Sequence, residues 1–156
     1  MLPQRPGPRP RVTRCAPHEQ LDQFAAVSLT ASLVQRVQTL AGVNLGPSRR
    51  APAGTVGFHL PDVDPRGREG DFMFGREFAH VHPEPDASLH VLLPEPIRSE
   101  AVAAGWAEPH PLAGTPTVPT GIVLVYAPRE ASELEVVISL IESSWNNARS
   151  PQCLVA

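Results

Sequence analysis

Three of the chain's six histidines fall within eleven residues, in Arg76-Glu77-Phe78-Ala79-His80-Val81-His82-Pro83-Glu84-Pro85-Asp86-Ala87-Ser88-Leu89-His90. His80 and His82 are two apart, so on a strand they share one face. His90 falls on the next predicted strand, and Asp86 sits in the turn between. Imidazole changes charge near neutral pH and is also the commonest metal ligand. Several imidazoles on one face of a sheet are costly to bury without use, so the cluster points to a small-molecule site with His110 arriving from a later loop. Three or four neutral imidazoles also suit zinc, iron or copper, with His80, His82 and His90 as the ligand set. Glu77 or Glu84 is expected as the supporting carboxylate such a site needs, but a regular strand sends Glu77 to the face opposite His80, which counts mildly against a metal.

Arg76 and Arg129 offer planar forks for a carboxylate, an enolate or a phosphate. For Arg129 a surface ion pair with Glu130 or Glu133 is at least as good a reading. Tyr126 ends an apolar run, where a tyrosine usually belongs to the core and its hydroxyl finds a partner. Gly105-Trp106-Ala107-Glu108-Pro109-His110-Pro111 stiffens His110 between two prolines. This loop reads as a pocket wall or lid, or else Trp106 plugs the core.

The elements that must hold these residues follow from periodicity. Leu21, Phe24, Ala25, Leu29, Leu33, Val37 and Leu40 recur at helical steps, predicting a helix over 19–41 that Gly42 stops. Near Thr55 the period drops to two. Strands are expected at 55–60, within 71–82, at 87–93 and at 121–126, the last being the most apolar and central. A helix is expected at 96–104 and another at 129–147, with Leu134, Val137, Ile138, Ile141 and Trp145 as its apolar stripe. Residues 46–54, 61–70 and 106–120 read as loops. Consecutive strands with segregated helices predict an α+β fold, an antiparallel sheet of four to five strands packed by helices on one face. One domain is expected over 18–148. Five prolines and four arginines in 1–17 predict a disordered tail, and 149–156 a loose C-terminal one.

Composition narrows the class. Of 156 residues, 42% are apolar and 19% charged, the net charge is −3 and the pI about 6.0. This is ordinary for a soluble domain and lacks the basic footprint of a nucleic-acid binder. All thirteen basic residues are arginine, which suggests a G+C-rich bacterial genome. No run approaches the ~20 apolar residues of a membrane helix, and Met1–Pro10 has no signal-peptide core, so a cytoplasmic protein is expected. Cys15 and Cys153 belong to no Cys-x-x-Cys pair; two free thiols fit a reducing compartment better than a disulfide joining the termini.

Arg76 through His82, Asp86 through His90, Gly105-Trp106, His110-Pro111-Leu112-Ala113-Gly114 and Tyr126-Ala127-Pro128-Arg129 occur in the same order and with similar gaps as in the fungal luciferase family. The chain resembles that family from Arg76 to roughly Ser144. Members that emit light oxidise 3-hydroxyhispidin, an α-pyrone, with molecular oxygen, through an endoperoxide-type intermediate that loses carbon dioxide. The resemblance implies a pocket of His80, His82, His90 and His110, with Arg76, Asp86, Trp106, Tyr126 and Arg129 around it as substrate contacts. It implies an oxygenase acting on an enolisable pyrone or aromatic compound with no cofactor beyond oxygen. The residues leave open a metal-dependent enzyme and a non-catalytic small-molecule binding module. The chain has no Gly-x-Gly-x-x-Gly dinucleotide fingerprint.

Overall fold

The computed structural model describes residues 1–64 and 70–150. The middle of the predicted 61–70 loop and Cys153 lie outside them; Cys15 is a free, exposed thiol. The elements run α1 (Val27–Gln38), β1 (Asn44–Pro47), β2 (Val56–His59), β3 (Glu77–Val81), β4 (Leu89–Leu92), α2 (Ile97–Ala103), β5 (Ala107–Pro109), β6 (Ile122–Val125) and α3 (Ala131–Arg149). The strands form one antiparallel sheet in the order β1-β2-β3-β4-β6-β5. The fold is α+β, with six strands rather than four to five. The two extra strands are the sheet's edges, β1 and β5. Both are short and proline-ended, so neither shows the alternation that marks a longer strand. The apolar β6 lies one strand in from the β5 edge, not at the centre.

Alternation divides the sheet. Ala79 and Val81, Leu89 and Val91, and Val123 and Val125 face the helices and join Leu134, Val137, Ile138, Leu140 and Ile141 of α3 in the core. Each large aliphatic side chain buried there stabilises the fold by about 1.5–3 kcal/mol. α1 packs on α3 through Leu33 and Val37, with Arg36 paired to Glu135 at the rim. α1 starts at Val27, eight residues after the predicted start, and Leu21 and Phe24 are partly exposed.

The residues before α1 are no loose tail. Arg5 N–H donates to Ala104 O (2.9 Å) and Trp106 Nε1 to Pro3 O (2.6 Å). The Arg9 guanidinium reaches the carbonyls of Ala107 and Val102 at 2.9 and 2.5 Å. Residues 11–21 turn back on themselves, with Val12 bridged to Gln20 and Arg11 paired to Asp22. Prolines cannot enter a ladder, so arginine side chains supply the bonds that hold this strap against the sheet.

Candidate functional site

The site is built on one rung of the sheet. Gly57 pairs with His80, His80 with His90, His90 with Leu124, and Leu124 with Glu108. All of them project from the face away from the core. At Gly57 an added Cβ would stand 2.6 Å from His59 Nε2 and 3.2 Å from Gly46 O, so a side chain at this end of the rung would displace the His59 ring and crowd the β1 backbone.

β3 is irregular. His59 pairs with Glu77 while Phe58 pairs with Ala79, leaving Phe78 as the extra residue of a bulge. The bulge turns Glu77 onto the imidazole face, where its Oε1 lies 2.6 Å from His80 Nδ1. The expectation that Glu77 points away assumed a regular strand and is corrected by this bulge. Glu77 is itself fixed by Ser48 Oγ (2.9 Å).

His82 Nδ1 lies 2.8 Å from Asp86 Oδ2 and 3.1 Å from Ser88 Oγ. The Oδ2 contact has ion-pair distance without hydrogen-bond geometry, leaving Oδ2 without a hydrogen-bond partner. The Nδ1 proton therefore goes to Ser88, which donates to Asp86 Oδ1 at 2.5 Å. Ala87 takes a left-handed backbone (φ 52°) between them. Burial opposes ionisation of Asp86, but the close His82 ring and the bonds from Ser88 outweigh it and hold the carboxyl below its usual range.

His90 stands at the centre. Its Nδ1 is 3.1 Å from His80 Nε2 and also 3.1 Å from His82 Nε2, and its Nε2 is 3.3 Å from His18 Nδ1. Burial, then the neighbouring imidazoles, push His90 well below the ordinary histidine pKa. Burial also lowers His80, although Glu77 opposes this. His110 packs against His90 and His18 with ring centroids 4.9 and 5.2 Å apart. Its Nδ1 accepts the Leu112 N–H, and burial with the cationic forms of His18, His80 and His82 pushes its pKa down to about 4. All four predicted histidines thus line one pocket of about 100 Å³, together with His18, Ser48, Arg50, Phe74 and Glu77. A wider groove bordered by Leu92–Glu95 and Thr115–Thr117 contains no imidazole.

The other predicted contacts lie elsewhere. Asp86 is behind His82, outside the pocket lining. The Arg76 Nε donates to Val63 O. Trp106 is buried beneath the strap, bonded to Pro3. Tyr126 Oη donates to Glu108 Oε2 (2.9 Å); burial and Glu108 raise its pKa to about 12. Arg129 pairs with Glu133 and reaches Pro6 O and Gln23 Oε1. Arg129 and Trp106 therefore secure the strap, and Tyr126 acts through Glu108. These are the alternative readings of the three residues, an ion pair for Arg129, a core position for Trp106 and a partnered hydroxyl on a buried strand for Tyr126. The place in a pocket came from motif order, which carries no information about which face a side chain takes.

His18, Glu108 and Arg50 were missed. His18 Nε2 meets Glu108 Oε1 at 2.9 Å, and His18 is buried. Gln20 holds the strap in place, its N–H donating to Asp86 Oδ1 and its Oε1 accepting from Ala127 N–H. The signal available for Glu108 was its place two residues before His110. His18 offered none, standing at the edge of a proline-rich run. Arg50 lines the pocket, bonded to Thr117 O and stacked over Phe74.

Residues 75–144 match the Luciferase domain family. Over 158 aligned residues covering 92% of this chain, the chain is 37% identical to a luciferase of Armillaria ostoyae and 36% identical to one of Armillaria mellea. A luciferase of Neonothopanus nambi is 32% identical over the same extent. The chain spans 59% of the length of each of these relatives. No solved structure matches. The relatives are fungal, so the bacterial source suggested by arginine usage finds no support in them. The chain is similar to fungal luciferases over nearly all of its length, and its Luciferase domain match holds the four predicted imidazoles of the pocket.

Proposed function

We propose that this chain is a luciferase-like oxygenase acting on an enolisable pyrone or aromatic compound. The observation that carries the reading is that three imidazoles, each with one ring nitrogen held by a carboxylate or by a serine bound to one, turn their other nitrogen toward the ring of His90 in the pocket. These are His80 with Glu77, His82 with Ser88 and Asp86, and His18 with Glu108. An anchored ring has its tautomer fixed, presents a lone pair, and gains stability as imidazolium when it accepts a proton.

An imidazole of this set removes the enol proton. Arg50 replaces Arg76 and Arg129 as the cation for the developing enolate, because Arg50 lines the pocket and they do not. His110 accepts the Leu112 N–H on Nδ1, so its neutral ring carries a proton on Nε2 and serves as a donor. The enolate carbon transfers an electron pair to dioxygen in single-electron steps and a C–O bond forms. The imidazolium returns its proton to the resulting peroxide. The luciferase relatives support oxygen chemistry at such a site, and whether light accompanies it depends on the substrate.

The test is oxygen consumption with a panel of hydroxypyrones, read beside ligand binding. Wild type should consume oxygen with at least one of them, and His82→Ala should lose at least about two orders of magnitude in rate while keeping its fold. A wild type that binds none and consumes no oxygen with any of them overturns the reading.

A further inference from the structure

We infer that His80 Nε2, His82 Nε2 and His90 Nδ1 form a three-imidazole site for one divalent first-row transition ion, with His18 as the second-layer partner of His90. The inference concerns the proposed pocket but does not rest on the reaction proposed for it, since the ion can be measured without substrate.

His80 donates Nδ1–H to Glu77, and His82 donates Nδ1–H toward Ser88 and Asp86. His18 donates Nε2–H to Glu108. Three lone pairs remain, on His80 Nε2, His82 Nε2 and His18 Nδ1. All three face His90, two at its Nδ1 and one at its Nε2. A neutral His90 has one proton for these three contacts. Placed on Nδ1, it leaves Nε2 and His18 Nδ1 as facing lone pairs. Placed on Nε2, it leaves Nδ1 facing two. A doubly protonated His90 must share its single Nδ1 hydrogen between two acceptors and would be a charge buried among imidazoles, which is expensive. An added proton on His80 or His82 leaves the other lone pair facing an occupied Nδ1.

A metal ion removes the conflict. Bound by His80 Nε2, His82 Nε2 and His90 Nδ1, it takes the three lone pairs on one side. His90 then carries its proton on Nε2 and donates it to His18 Nδ1, whose own Nε2–H goes to Glu108. Every ring nitrogen has a partner. Each ligand then has the outer-layer support that metal-bound histidines show: a carboxylate, a serine–carboxylate pair, and a histidine–carboxylate relay.

Distances agree. A tetrahedral ion with metal–nitrogen bonds of about 2.0–2.1 Å has ligand nitrogens about 3.3–3.4 Å apart, and two of the three pairs here are 3.1 Å. The donor atoms of the trio all lie within 4.8 Å of one another. Charge agrees as well, since Glu77, Asp86 and Glu108 put three carboxylates behind imidazoles, with no guanidinium or ammonium among the described residues bonded to Glu77 or Asp86. Three neutral nitrogens select zinc, copper or iron over magnesium or calcium. A fourth coordination position would face the pocket, where a bound ion would polarise a substrate's enol oxygen and so take over the proton loss assigned above to the imidazoles it occupies.

A second trio, His18, His90 and His110, also brings its donors together. It is the weaker candidate because His110 Nδ1 accepts the Leu112 N–H, which leaves the proton on the Nε2 that would have to bind.

The test uses the full chain, stripped with a chelator and titrated with Zn²⁺ and Co²⁺. One equivalent should bind, with Co²⁺ giving the intense visible bands of a four-coordinate ion. His80→Ala and His82→Ala should abolish that spectrum. His110→Ala should keep it, and Glu77→Gln should weaken binding by about 10–100-fold. X-ray absorption of zinc-loaded wild type should count three imidazoles, and this reading stands even if the alanine variants fail to fold. Failure of wild type to bind, or loss of the ion in His110→Ala with retention in His80→Ala, overturns the inference. Oxygen consumption by the stripped protein separates the fate of the reaction from that of the site.

Discussion

Glu77 reaches His80 because one residue, Phe78, is extra in β3, and this shows how local the determinants of the pocket are. A single insertion in the ladder changes the side of the sheet that a carboxylate occupies. His18 is equally local, since it owes its place to a turn whose bonds run through Gln20. Because His18 holds one nitrogen of His90 and its own far nitrogen is held by Glu108, His18→Ala should impair turnover or ligand binding as strongly as His82→Ala. Its effect on stability should be only about 1–3 kcal/mol, the usual cost of leaving buried polar partners unpaired. Paired activity and melting measurements check this. A variant as active as wild type would show that the strap contributes only packing. The imidazole cluster was legible in the sequence because His-x-His on a strand fixes a shared face. Glu77 and His18 were not, because a bulge and a turn leave no periodic trace.

Among the elements, α3 does two jobs. Its buried stripe covers the sheet, and its first turn presents Glu133 to Arg129. The Glu133 carboxylate accepts from both the Arg129 side chain and the Arg129 backbone N–H (2.9 Å), at a helix end that favours negative charge. Burial alone would raise the Glu133 pKa, but the bonds from Arg129 outweigh it and leave it below its usual value of 4.5. A carboxyl with a depressed folded-state pKa stabilises the fold above its unfolded pKa and loses that contribution as pH falls through the folded value. Glu133→Gln should therefore be less stable than wild type at neutral pH by about 1–2 kcal/mol, under the ~3–5 of a fully buried pair because the guanidinium is partly exposed. The gap should narrow as pH falls below 4.5 and close once pH is below the depressed folded value, and denaturant titrations at several pH values check it. The three helices and four of the six strands were legible from periodicity, with shifted boundaries. β1 and β5 were not, because four and three residues with prolines cannot show a period.

For the molecule as a whole, the boundary of the domain lies outside the stretch that carries the family match. Residues 75–144 supply the predicted imidazoles, but the pocket also draws on Ala16, Pro17, His18, Ser48 and Arg50. Trp106 donates to Pro3 and is buried with the strap lying over it. Removing residues 1–17 should red-shift tryptophan emission and weaken ligand binding while far-ultraviolet circular dichroism stays near wild type, because no helix or ladder strand lies in that segment. Unchanged emission would mean that Trp106 is shielded without the strap. The proline-rich composition of 1–17 had suggested disorder, which is sound for a segment with nothing to bind. Here the arginines find carbonyl oxygens on α2, β5 and the strap itself.

The two ends of the sheet bear on how the molecule meets its own copies. β1 closes with Pro47 and β5 with Pro109, and each is a short outermost strand. An unpaired strand border is a template for a neighbouring chain, and proline takes away a donor that such a template needs. Both borders are thereby blunted, so a sheet buried on one face and open to ligand on the other does not offer a ready path to side-by-side stacking.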